Sequence, residues 1–309
     1  MATVKIPHEQ FALAARYALP LAGREVTSNP GWHNIVFAGE RARVTDGVVG
    51  VEVPIAGPAG LAVPVDRLFL PLESLTEDVV LACGGQQVEV RAGGFRATLP
   101  TVAAELLPVW PAAPPKKLWG PAPWWSAVLG VLFAAPTKGQ NVALQGVALQ
   151  ANQAVAGDGV RAARAAAPGA PTGFCPARML QYLQRIGVAA SIHTVALTED
   201  RLWVQCEGGV VGWGLLPAEP WPAMVLQAIV DFSKVAGKTS SVGWDPGGAA
   251  AAIHRGASFA LGRMTVEGTT GRVEFSAESG GGTATERVSA EVRTPFRVQG
   301  NPELLEDAF

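Results

Sequence analysis

Apolar and polar positions alternate most clearly in residues 141–167, NVALQGVALQANQAVAGDGVRAARAAA. Two strand-like apolar runs, residues 142–149 and 151–156, lead into a turn at residues 157–159, and a third run follows. Asp-Gly between alternating runs indicates a β-hairpin, because glycine tolerates the positive φ of a tight turn. This stretch therefore predicts an antiparallel meander.

The same pattern occurs earlier, at residues 34–53, NIVFAGERARVTDGVVGVEV. Further landmarks recur in the same order along the chain. The matched pairs are Asp46 with Asp158, Pro64 with Pro176, and Pro100 with Pro217. Three landmarks in register predict tandem copies of one structural unit.

Between these strand-rich stretches, apolar residues recur at the spacing of an α-helix. The predicted apolar helix faces are Phe11, Ala14, Ala15 and Ala18; then Trp125, Val128, Leu129, Leu132 and Phe133; then Val225, Ile229 and Phe232. A second helix in each unit is expected to open at Pro64, Pro176 or Pro302, because proline suits the first helical turn. Each unit is therefore predicted to carry two helices.

The predicted fold class is α+β, with three tandem units in which two helices pack on antiparallel sheets. A proline-rich link at residues 108–123 separates the first two units. The predicted boundaries are 1–115, 116–221 and 222–309, and we call these the first, second and third repeats. The third repeat is expected to lack the final strands that follow the second helix in the other two.

Composition narrows the class of protein. The chain has 309 residues, of which 49% are hydrophobic and 16% charged, as in globular proteins. No apolar run approaches a membrane span, and the first residues, MATVKIPHEQ, lack a signal-peptide core. Cys83, Cys175 and Cys206 are far apart and predict reduced, buried thiols in a cytoplasmic protein. A net charge of −2 excludes nucleic-acid binding by bulk basicity.

Three segments resemble the bacterial and phage β sliding clamp family, the processivity factors of DNA polymerase. Residues 146–165, GVALQANQAVAGDGVRAARA, resemble the second-domain signature, whose core reads Ala-Thr-Asp-Gly-His-Arg-Leu. Residues 88–108 resemble the closing strands of the first domain, and residues 296–309, FRVQGNPELLEDAF, resemble the last-domain second helix. The chain departs from the signature at Gly157, Val160 and Ala162, where the family has Thr, His and Leu.

The resemblance implies a homodimeric ring that encircles duplex DNA and tethers a replicative DNA polymerase. A clamp must hold DNA without gripping it, so a few basic side chains on the inner helices suffice for sequence-independent phosphate contacts. The residues expected to contact DNA are Arg24, Arg67, Lys138, Arg178, Arg185, Lys234 and Lys238.

The resemblance also implies an apolar groove that takes a short peptide from the polymerase or the clamp loader. Its expected lining is Gly159, Val160, Arg161, Ala162, Pro222 and Leu226. The same stretch around Asp158 is equally a plain hairpin turn, whatever the function of the chain.

No catalytic constellation stands out, so the chain is predicted not to be an enzyme and to need no cofactor or metal. The four histidines lack metal-ligand spacing, and Gly237-Lys238-Thr239 lacks the strand that precedes a phosphate-binding loop. Two alternatives stay open. The chain could be a non-replicative protein with the clamp fold, or a β-protein that binds carbohydrate or another ligand through some of its nine tryptophans.

Overall fold

The computed structural model describes residues 2–22, 32–136, 144–158, 162–217, 242–244, 252–253, 264–279, 282–292 and 296–300. Its contacts divide the chain into two compact units. The larger unit comprises residues 1–156 and 164–221, and the smaller unit comprises residues 157–163 and 222–309. The boundaries of the three predicted repeats stay predictions.

The first repeat alternates short helices with two antiparallel sheets. Its elements are β1 (Ala2–Ile6), α1 (His8–Ala18), β2 (Asn34–Phe37), β3 (Ala42–Thr45), β4 (Val49–Val53), β5 (Ala62–Pro64), α2 (Val65–Phe69), β6 (Val79–Gly84), β7 (Gln87–Ala92) and β8 (Phe95–Pro100). One set of strands has the order β1-β6-β7-β8 and the other has the order β5-β2-β3-β4. Helix α1 buries Phe11, Ala14, Ala15 and Ala18, as its apolar spacing predicted.

The second repeat has the same topology. Its elements are β9 (Gly120–Pro121), α3 (Trp125–Val131), β10 (Gly146–Gln150), β11 (Gln153–Gly157), β12 (Ala162–Ala166), β13 (Gly173–Pro176), α4 (Ala177–Arg185), β14 (Thr194–Leu197), β15 (Arg201–Gln205) and β16 (Val211–Leu215). Strands β9-β14-β15-β16 and β13-β10-β11-β12 correspond one by one to the two sets in the first repeat. The recurrence of a common unit, predicted from the landmarks, is thus confirmed for these two segments.

The two repeats share one sheet. Strand β4 pairs antiparallel with β16, in a register that places Gly50 opposite Trp213 and Val49 opposite Gly214. The pairing creates an eight-stranded sheet with the order β5-β2-β3-β4-β16-β15-β14-β9. A Cβ atom at Gly214 would lie 2.6 Å from the Cβ of Met179, so glycine at this position lets α4 approach the sheet closely.

One strand prediction in the second repeat needs correction. A tight turn lies at Ala151 and Asn152, whose φ angles are +51° and +60°, so the predicted strand start at Ala151 is wrong. Strand pairing between Gln150 and Gln153 places the turn there, and β11 extends through Gly157. The predicted turn at residues 157–159 lies partly outside the described residues and stays a prediction. In the first repeat the predicted Asp-Gly turn is confirmed, with Gly47 at φ +90°.

The helix starts and one apolar face also differ in detail. Pro64 and Pro176 each end a strand and are the N-cap residues of α2 and α4. The two helices therefore begin one residue later than predicted, at Val65 and Ala177. On α3, Trp125 and Val128 are buried as expected. Phe133, in the 3-10 turn after α3, is 39% exposed, so its predicted place on the buried face is wrong.

The smaller compact unit contains one five-stranded antiparallel sheet. Its strands are β17 (Val242–Trp244), β18 (Met264–Thr269), β19 (Arg272–Ser279), β20 (Gly282–Val292) and β21 (Phe296–Gly300). Within the order β17-β20-β19-β18-β21, the last four strands repeat the arrangement of β2 to β5. The predicted helix face with Val225, Ile229 and Phe232, and the predicted helix at Pro302, lie outside the described residues.

Candidate nucleic-acid interface

The helices of the first two repeats form a continuous row with the order α2, α1, α4, α3. The rings of Phe11 and Phe69 lie 4.8 Å apart and join α1 to α2. The hydroxyl of Tyr182 donates a 2.7 Å hydrogen bond to the carbonyl of Tyr17, which joins α4 to α1. The indole of Trp125 donates to the carbonyl of Ala189, just beyond α4. We call these four helices the helix row.

Arg16 ties α1 to the carboxyl end of α4. Its guanidinium donates to the carbonyl of Ile186 from Nε at 3.1 Å and from Nη2 at 2.9 Å, and it also pairs with Glu207. Ile186 is the C-cap residue of α4, so a positive charge meets the negative end of that helix dipole. The sequence pattern did not indicate this contact, because periodicity and turn motifs relate only neighbouring positions and these two residues are 170 apart.

Asp46 ties the first repeat to the amino end of α4. Its side chain is 9% exposed, and Oδ1 accepts hydrogen bonds from the backbone N–H groups of Val48 and Val49 at 2.9 and 2.8 Å. Its other oxygen, Oδ2, accepts a 2.8 Å hydrogen bond from Arg178. The sequence identified Asp46 as a turn residue, but its role in joining the two repeats was missed.

The structure describes three of the seven predicted DNA contacts. Arg67 on α2 has a 75% exposed side chain and only a distant partner, with its Nε 4.0 Å from Asp66. Arg178 is 58% exposed, and Asp46 compensates its charge. Arg185 ends α4, is exposed, and forms no ion pair with any described residue. Arg24, Lys138, Lys234 and Lys238 lie outside the described residues.

The exposed side of the helix row is only weakly cationic. Glu9 and Asp66 are exposed on the same helices as Arg16 and Arg67. Such a mixed surface can attract a phosphate backbone through a few cations without forming a dense set of contacts. This charge pattern suits loose, sequence-independent contact with a polyanion.

The predicted peptide groove falls mostly outside the described residues. Ala162 begins β12 and is exposed. Gly159, Val160, Arg161, Pro222 and Leu226 are not described by the structure. The groove therefore stays a prediction.

The three cysteine thiols differ in burial. Cys175 and Cys206 are buried as predicted, whereas Cys83 is only partly buried. Burial raises the pKa of the Cys206 thiol to about 12 and raises that of Cys175 as well. Neither thiol forms a thiolate at neutral pH, which a nucleophile requires. Among the described residues, no three His, Cys, Asp or Glu side chains are grouped as metal ligands.

Four tryptophans are also accounted for by packing. Trp124, Trp125, Trp203 and Trp213 are at most 4% exposed. A carbohydrate-binding platform presents the face of an aromatic ring to solvent, and these four rings do not. Within the described segments, no helix is long and apolar enough to cross a membrane.

Comparison with solved structures identifies the fold. A DNA polymerase III subunit beta from Pseudomonas aeruginosa superposes with a TM-score of 0.76 at 18% identity, over 99% of this chain and 89% of that one. A sliding clamp from Caulobacter crescentus gives 0.75 at 19% identity, over 100% and 90% of the two chains. A P. aeruginosa sliding clamp bound to griselimycin gives 0.75 at 19% identity, over 99% and 89%.

The chain has a clamp-like fold, in which helices pack on antiparallel sheets. More particularly, it has the fold of the bacterial DNA polymerase III beta sliding clamps, as the sequence resemblance predicted. No protein-family model matches the sequence, and no curated protein matches it either. At 18–19% identity, the likeness establishes the fold alone.

Proposed function

We propose that this protein is a DNA sliding clamp, which encircles duplex DNA and tethers a replicative DNA polymerase for processive synthesis. The observation that supports this most is that α1, α2 and α4 of the helix row pack on one continuous eight-stranded sheet. Such an arrangement gives one continuous helical surface, whose few exposed cations suit loose contact with phosphates. In this proposal the protein acts without catalysis and without a cofactor.

The proposed ring is a homodimer with three repeats in each copy. The proposed contact between the two copies has the same form as the junction between the first two repeats, where β16 pairs with β4. Strand β8 is the counterpart of β16 in the first repeat, and its outer edge pairs with no strand in the described part of the chain. An unpaired edge offers free backbone donors and acceptors to a strand of a second copy.

Light scattering tests the ring. We expect a mass of twice the 32.1 kDa chain. Thr98→Pro, in the middle of β8, should reduce the mass to that of one copy, because proline removes a backbone donor from the strand. Circular dichroism must show that the variant is folded. A folded Thr98→Pro protein with the mass of two copies would contradict closure through β8.

DNA contact is proposed for Arg24, Arg67, Lys138, Arg178, Arg185, Lys234 and Lys238. Of the three described, Arg185 should matter most, because it has no ion pair with any described residue, whereas Asp46 neutralises Arg178. Arg185→Ala should shorten retention of the loaded ring on nicked circular DNA more than Arg178→Ala does, without any sequence preference. Equal retention of both variants and wild type would remove α4 from the DNA-facing surface.

Polymerase and clamp loader are proposed to bind through short peptides. The proposed groove is lined by Gly159, Val160, Arg161, Ala162, Pro222 and Leu226. The griselimycin complex of the P. aeruginosa clamp supports ligand binding by this fold. A peptide ending in Leu-Phe should bind wild type, and Val160→Asp should abolish binding because it places a charge on an apolar wall. Equal affinities in calorimetry would exclude this groove.

A primer-extension assay separates a replicative clamp from a non-replicative protein with the same fold. With a loader and polymerase from one organism, a replicative clamp lengthens the products made in a single binding event. Retention on circular DNA without longer products would favour the non-replicative alternative.

A further inference from the structure

The eight-stranded sheet has a second surface, on the side away from the helix row. Met179 of α4 lies over Gly212 and Gly214, so the intervening residue, Trp213, points to the other side of the sheet. On that side Trp213 packs with Trp203. This side therefore has an aromatic centre that the helix row does not use.

The proline-rich link between the first two repeats is anchored on this aromatic centre. The ring of Trp110 meets that of Trp213 edge-on at 5.6 Å, and the guanidinium of Arg43 lies 5.5 Å from the centre of the Trp110 ring. Trp119 packs against the same cluster. The link is thus held at two points on the side of the sheet opposite the helix row.

The link presents apolar side chains to solvent. Four of the six large exposed hydrophobic residues in the described part of the chain lie on the link, two residues before it, or two residues after Trp213 on β16: Leu106 (49% exposed), Val109 (97%), Leu118 (43%) and Leu215 (38%). We call residues 106–119 together with Leu215 the linker surface. Concentrations of exposed apolar side chains mark interaction sites.

The charges on the linker surface favour an acidic partner. Lys116 and Lys117 are exposed and form no ion pair with any described residue. Glu105 lies directly before this stretch, and the nearby Arg43 is already paired with Glu52. The surface therefore combines exposed apolar side chains with two exposed lysines that no described carboxylate pairs with.

The link is also ordered in advance of any binding. Pro108, Pro111, Pro114 and Pro115 restrict φ, and Trp110 and Trp119 fix the two ends. A preorganised surface loses little conformational entropy when a peptide binds to it.

We propose that the linker surface binds an extended acidic peptide of another protein. Apolar side chains of that peptide cover Val109 and Leu118, and its carboxylates meet Lys116 and Lys117. The site is separate from the proposed DNA-facing surface, because it lies on the other side of the sheet from the helix row.

Fluorescence anisotropy tests this with a labelled decapeptide that alternates Asp with Leu or Phe. We expect it to bind, and a matched decapeptide with Lys in place of Asp to bind at least about ten-fold more weakly. Val109→Asp and the double change Lys116→Glu with Lys117→Glu should each weaken binding about ten-fold. Leu70→Ser, which alters an exposed leucine in the 3-10 turn directly after α2, is the matched control and should leave binding unchanged.

Three results would overturn the proposal. The first is no binding of the acidic peptide, and the second is equal affinity of wild type and Val109→Asp. The third is a solution mass that falls on Val109→Asp, since the surface would then be covered by a second copy. All three are measured on the full chain without DNA, so they are separable from a failure of the clamp function.

Discussion

The ion pair between Asp46 and Arg178 should stabilise the joint between the first two repeats by a measurable amount. Asp46→Ala removes three hydrogen bonds from a carboxylate that is 9% exposed, and it leaves the N–H groups of Val48 and Val49 without their acceptor. Hydrogen bonds to charged groups each contribute about 1.5–3 kcal/mol when buried. Because turn N–H groups can partly return to water, we expect a total loss of about 3 kcal/mol.

Arg178→Ala should cost less. The carboxylate keeps its two backbone donors, and the arginine is 58% exposed, so solvent screens much of the lost attraction. We expect a loss of about 1–1.5 kcal/mol for this change. The double variant should show a coupling free energy of about 1 kcal/mol between the two side chains.

Denaturant titration of wild type, both single variants and the double variant measures this coupling. The control is the same cycle at Asp66 and Arg67, an exposed pair separated by 4.0 Å, for which we expect less than about 0.5 kcal/mol. A coupling at Asp46 and Arg178 no larger than the control value would refute the reasoning. The ion pair would then have no role in joining the repeats.

Further outcomes follow from packing and from burial. Gly214→Val should strongly lower the thermal unfolding temperature, because its Cβ would lie 2.6 Å from that of Met179. Gly130→Ala in α3, where a Cβ would meet open space, should stabilise the protein by about 0.5–1 kcal/mol. The free energy of unfolding should fall as pH rises from about 9 towards 12, because the pKa of Cys206 is raised to about 12 in the folded protein and the unfolded thiol ionises first. Cys206→Ala should flatten that fall in denaturant titrations at several pH values. In the native protein at pH 8, a thiol reagent should modify the partly exposed Cys83 well before Cys206.

The candidate site was only partly predictable. Sequence selected Arg67, Arg178 and Arg185 as possible DNA contacts, since each is a cation in a predicted helix. It could not rank them, because the availability of a charge depends on partners distant in the chain. Asp46, 132 residues from Arg178, neutralises that arginine, while Arg185 has no such partner in the described part of the chain.

The sequence by itself determined the repeating unit. Alternation around Asp46 and Asp158, and the prolines at 64 and 176, placed strands and helices in the correct order, because periodicity and turn chemistry act over a few residues. The same locality explains the one misplaced strand start. Apolar alternation suggested a strand from Ala151, whereas pairing of Gln150 with Gln153 places a tight turn at Ala151 and Asn152.

Only the tertiary structure decided how the first two repeats are joined. Pairing of β4 with β16, the close approach of Met179 to Gly214, and the packing of Trp110 on Trp213 connect residues far apart in sequence. Each of these contacts uses a strand edge or a sheet face that remains free after the repeat has formed its own internal contacts. Short-range patterns contain no information about that, because a strand alternates in the same way whichever neighbour it acquires.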